Sequence, residues 1–152
     1  MPNAKSKRTP ARTTAAKPPV RKTARPAPAA ATPAAAPSAE VMATLRALLL
    51  AYGEGLIVQR DEPGAFELAT TRAFRGKPMF FGAVAARKGY VSFHLMPIYV
   101  FPELLEGISP DLRSKLSGKS CFNFRTLTQS LVTELAGLTV AGLDLFRKAD
   151  LA

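Results

Sequence analysis

Tryptophan is absent from the 152-residue sequence, and cysteine and histidine occur once each, as Cys121 and His94. A single cysteine excludes an internal disulfide framework and any paired-cysteine zinc or redox motif, which fits a reducing, cytoplasmic setting. Long apolar runs are lacking too: the most apolar stretch, Gly89 to Pro102, has 14 uncharged residues and is interrupted by His94 and two prolines. A membrane span needs about 20 apolar residues, so none is expected. Residues 1–37 contain no Asp, Glu, Gly or aromatic side chain, which divides the chain into two unlike materials.

What those first 37 residues do contain is eight cations, Lys5, Lys7, Arg8, Arg12, Lys17, Arg21, Lys22 and Arg25, and eight of the 13 prolines. The segment is therefore +8, and the other 115 residues, with 13 basic and 11 acidic side chains, are only +2. Its uncharged stretch, Ala27 to Ala36, is Ala and Pro with one Thr. That is not the Leu- or Val-rich centre of a secretory signal, and the prolines break any amphipathic presequence helix. Such a composition cannot bury enough apolar surface to fold, so a disordered tail is expected. It resembles the basic tails of bacterial histone-like proteins. Its cations would contact nucleic acid by counterion release and, lacking aromatics to stack on bases, without sequence preference. A merely solvated leader is the alternative.

Residues 38–152 have the size of one domain, able to bury roughly two-thirds of the unfolded surface. Ser38 is placed to cap a helix whose apolar stripe runs Val41, Leu45, Leu48 and Tyr52, widened by Met42 and Leu49 and stopped by Gly53. Leu56 to Arg60 and Phe66 to Thr71 flank Asp61-Glu62-Pro63-Gly64 as a hairpin. Pro78 to Arg87 and Tyr90 to Pro97 flank Lys88-Gly89 as another. In the last of these strands Tyr90, Ser92, His94 and Met96 share one face, and Val91, Phe93 and Leu95 the other. Two short helices follow, the second capped by Ser109 before Pro110, then a strand within Lys119 to Arg125. A final helix opens at the Thr126–Gln129 capping box and ends near Arg147 and Lys148. The order α-β4-αα-β-α implies an α+β fold: a single, mostly antiparallel sheet of about five strands, covered by helices on one side.

Three segments carry a family resemblance: Tyr90-Val91-Ser92-Phe93-His94-Leu95-Met96-Pro97, Ser109-Pro110-Asp111-Leu112 and Gly118-Lys119-Ser120-Cys121-Phe122-Asn123-Phe124. They resemble the core of the YdhG-like domains, a family catalogued as a domain of unknown function, over roughly Val41 to Lys148. The resemblance implies a frataxin-like arrangement of helices on one sheet and, as an alternative function, an intracellular iron-binding chaperone. His94 with Glu103, Glu106 and Asp111 is the set of N and O donors that could serve iron.

The mixed face, Tyr90, Ser92, His94 and Met96 with Asn123 from the last strand, has the makeup of a groove for a small ligand or a protein partner, unless the helical hairpin or a second subunit covers it. Cys121 would need a neighbouring base to be a nucleophile, and His94 is the only one; otherwise it is a core thiol. Ser117-Gly118-Lys119-Ser120 lacks the first glycine of a phosphate loop and precedes a strand, so Lys119 remains only a possible anion contact. No motif names a reaction. The chain reads as a non-enzymatic binding domain with no cofactor other than possible iron.

Overall fold

The computed structural model describes residues 37–152. The tail expected over residues 1–37, with its eight cations, lies outside the described residues apart from Pro37, which opens the first helix. The elements are α1 (Pro37–Tyr52), β1 (Ile57–Glu62), β2 (Ala65–Phe74), β3 (Lys77–Arg87), β4 (Tyr90–Leu95), α2 (Met96–Val100), a 3-10 turn (Pro102–Leu105), α3 (Pro110–Lys115), β5 (Leu116–Ser117), β6 (Cys121–Phe124) and α4 (Gln129–Lys148). The fold is α+β, with one antiparallel sheet in the order β1-β2-β3-β4-β6-β5 and helices at both ends of the domain. The sheet has six strands, in line with the about five expected. The sixth, β5, is a two-residue strand that pairs only with β6, too short to leave a periodic pattern.

Strand alternation decides which face of the sheet is covered. Val91, Phe93 and Leu95 of β4 and Phe122 and Phe124 of β6 are fully buried, and they meet Leu45 and Leu49 of α1 and Leu135 and Phe146 of α4 in one core. Phe81 of β3 stands edge-on to Phe146, with ring centroids 5.6 Å apart. The alternate residues Ser92, His94, Cys121 and Asn123 are only half-buried, because none of the described helices packs on the opposite face.

Several boundaries move for identifiable reasons. Ser38 lies within α1, whose described range opens at Pro37, and is therefore a helix residue and not a cap outside it. Tyr52 remains 42% exposed despite its place on the apolar stripe. It sits in the last turn, where a phenol can keep its hydroxyl in water. β2 and β3 extend to meet at Arg75-Gly76, both at positive φ (53° and 79°), the geometry that suits the twist of a two-residue hairpin. β4 stops at Leu95, because Pro97 has no N–H for a ladder but fits the first turn of α2; Met96 is therefore a helix residue. Thr128, not Thr126, caps α4 by accepting from the Leu131 N–H at 3.3 Å. This choice puts Leu127 and Val132 against the core on either side of the cap, as a hydrophobic staple. Ser109 caps α3 as expected, accepting from the Leu112 N–H at 3.1 Å.

Candidate functional site

The uncovered face is best followed along its cross-strand rows. One row runs Glu67, Ala83, His94, Cys121 and Ser117 from β2 to β5, and the next runs Ala65, Ala85, Ser92 and Asn123. Ala83 and Ala85 are the small members, and the sheet is hollow above them. The result is a cavity of about 260 Å³ walled by Phe80, Met96 and the two alanines, with Ser92, His94 and Cys121 in it and Glu67 and Arg87 among its lining residues. Apolar walls with a few convergent polar groups are the usual makeup of a small-ligand site.

The cavity gathers three of the five groove residues expected from the alternation, Ser92, His94 and Met96. Met96 reaches it from α2 instead of β4. Tyr90, opposite Arg87 at the start of β4, and Asn123, opposite Ser92, belong to the same face but do not line the cavity.

Cys121 is the residue whose place in this site was not anticipated. Register sets β6 directly beside β4 with His94 opposite Cys121, and His94 Nδ1 lies 2.6 Å from Cys121 Sγ. On the other side of the ring, Ser120 Oγ is 3.3 Å from His94 Nε2. Ser120 itself is buried, in the turn whose carbonyl accepts from the Leu95 N–H. Phe80 packs on the imidazole with centroids 5.2 Å apart. The ring is thus held on three sides. Alternation within Lys119 to Arg125 does put Cys121 and Asn123 on one face, but the pairing of β4 with β6 spans α2, the 3-10 turn, α3 and β5, and no local pattern reports it.

Burial sets the charge state of the pair. It lowers the His94 pKa below the ordinary 6.5. It also raises the Cys121 thiol above the ordinary 9.0, opposed by a hydrogen bond with Ser92 and by the positive charge of Arg87. At neutral pH both groups are uncharged. The consistent proton arrangement has the thiol donating to Nδ1 and the Nε2–H donating to Ser120 Oγ. A nucleophile in hydrogen-bond reach of a base that a third group orients is the general layout for activating a thiol, here in its resting, neutral form.

The other sequence candidates lie elsewhere. Lys119 holds its ammonium 5.5 Å from the centre of the Tyr99 ring. Glu103 is in the 3-10 turn, Glu106 caps it, and Asp111 stands 3.9 Å from Lys115. Among the described residues no three or more His, Cys, Asp or Glu side chains come together in a way that could hold a metal ion, so His94, Glu103, Glu106 and Asp111 do not form an iron site. A larger cavity, about 600 Å³, lies between α1 and the β1–β2 turn. Its Arg46 and Asp61 are already paired two-pronged, at 2.9 and 2.5 Å, whereas the smaller cavity holds the thiol and the imidazole. No described helix is long and apolar enough to cross a membrane. Comparison with protein-family models, curated proteins and solved structures finds no match to this chain.

Proposed function

We propose that this chain is a cytoplasmic, non-enzymatic binding domain of the YdhG-like kind, which takes a small ligand on the uncovered face of its sheet and contacts nucleic acid through its basic N-terminal segment. The carrying observation is the cavity over Ala83 and Ala85, where Phe80 and Met96 supply apolar walls and Ser92, His94 and Cys121 supply direction. Burial keeps His94 and Cys121 uncharged at rest, which suits a site that holds a ligand and releases it unchanged. Arg87 at the same cavity favours a ligand with an anionic end.

Titration of the 15N-labelled protein with benzoate, a flat apolar probe with one carboxylate, tests this reading. Saturable shifts at Ser92, His94 and Cys121, with a Kd of about 1 mM or tighter, support it. Shifts that do not saturate, or that centre on α1 and Arg46, overturn it.

A further inference from the structure

We infer that the sheet-face groove holds its ligand covalently and reversibly: Cys121 adds through sulfur to the carbonyl carbon of a small aldehyde that carries a carboxylate, with His94 moving the proton. This inference rests on the ligand-binding reading of the same cavity and assigns it a ligand class.

Three independent features point the same way. Cys121 Sγ lies 2.6 Å from His94 Nδ1, and Ser120 fixes the ring from its other nitrogen, so the thiol proton has a prepared acceptor. Both reacting side chains line a cavity of about 260 Å³, which is room for a molecule of several heavy atoms beside the thiol. Arg87 lines that cavity, and its charge is felt at the thiol. Glu67, the opposing carboxylate, is drawn to Arg60 at 3.8 Å, which leaves the Arg87 end the more anion-attracting one.

Addition fits the site better than acyl transfer. Cys121 is in mid-sheet, with His94 of β4 on one side and Ser117 of β5 on the other, and its backbone lies within those ladders. An acyl-transfer site needs free N–H donors for an oxyanion, usually at a turn or helix start. Addition to an aldehyde needs only a proton delivered to oxygen. The S–C bond forms as the C=O π bond breaks. The thiol proton passes to Nδ1 and from there to the carbonyl oxygen, which gives a hemithioacetal. There is no leaving group, oxidant or reductant, and the reverse path releases the aldehyde and restores the thiol.

The test uses the full chain and 13C-labelled glyoxylate, followed by 13C NMR, with labelled acetaldehyde as the probe without a carboxylate. The expected result is a hemithioacetal signal that forms with glyoxylate at least roughly tenfold more tightly than on N-acetylcysteine. That signal is lost in Cys121→Ser and in Cys121→Ala, with 15N spectra showing both folded. His94→Gln slows formation and release together by about 100-fold, the scale of general acid–base help, with little change in the equilibrium. Arg87→Gln removes the preference for glyoxylate over acetaldehyde. Adduct formation no tighter than on N-acetylcysteine, or persisting without Cys121, overturns the inference. Benzoate titration of Cys121→Ser separates the two readings: binding there with no adduct in the wild type leaves the groove standing and removes the covalent step.

Discussion

His94 and Cys121 tie the site to the stability of the domain, because burial shifts their pKa values in opposite directions. His94 has a lowered pKa in the folded protein, so between that value and 6.5 the unfolded chain binds a proton that the native state does not. Stability is therefore present in full above 6.5 and is lost as pH falls through that window. Cys121 has a raised pKa, so its contribution is present below 9.0 and is lost as pH rises beyond it. Of the groups that share the cavity with the pair, Ser92 by a hydrogen bond and Arg87 by its charge oppose the rise at Cys121, whereas burial alone lowers His94. The denaturant midpoint should accordingly fall at both ends of the pH range. His94→Gln should flatten the acid limb near 6.5, and Cys121→Ala the alkaline limb near 9.0; an acid slope near 6.5 that survives His94→Gln contradicts this account. At this scale the sequence was half legible. The period of two along Tyr90 to Leu95 sorted covered from uncovered side chains correctly, since it depends only on strand geometry. That His94 would meet Cys121 depends on register across a long crossover, which no single side chain encodes.

Individual elements show how local preference is overruled by close packing. Gly142 and Gly137 both sit in α4, where glycine costs about 1 kcal/mol relative to alanine. A Cβ at Gly142 would lie 2.6 Å from Pro97 Cβ and 2.9 Å from its Cγ, in a rigid ring that cannot swing aside. One at Gly137 would meet nothing within 4 Å. Overpacking costs about 1–3 kcal/mol, which exceeds the gain in propensity. Gly142→Ala should thus lower urea stability by about 1–2 kcal/mol, whereas Gly137→Ala should raise it by about 0.5–1 kcal/mol. Equal effects of the two would show that α4 does not press on α2. Ser109 is a second such point, for its hydroxyl accepts from the Leu112 N–H and also donates to Glu134 Oε2 of α4 at 2.7 Å. Ser109→Ala removes the cap and leaves the part-buried carboxylate short of a donor; a loss of about 1–2 kcal/mol is expected by urea denaturation, and a neutral result would mean water replaces both bonds. The long elements α1, β3, β4 and α4 were readable from periodicity. The five-residue α2 and two-residue β5 were not, because neither is long enough to repeat a pattern.

On the scale of the whole chain, the +8 carried by residues 1–37 and the +2 carried by the rest assign any attraction to polyanions to the N-terminal segment. The cavity on the sheet face is mixed in sign, with Glu67 and Arg87 both among its lining residues. Binding to DNA should therefore be independent of sequence and steeply dependent on salt. If all eight tail cations engaged phosphates, the slope of log K against log salt would be about −7, an upper bound for a segment that seldom engages every charge at once. Replacing the eight tail Lys and Arg residues by Gln keeps the chain length and should bring the slope close to zero in a fluorescence anisotropy titration with a random-sequence duplex. His94→Gln, measured in the same assay, should leave it unchanged. A slope that persists in the Gln variant would move the nucleic-acid contact onto the folded domain. There the 13 basic and 11 acidic side chains would have to be segregated in solution far more than their near balance suggests. A slope lost in both variants would instead couple the groove to the tail, contrary to the division of charge and chemistry between them.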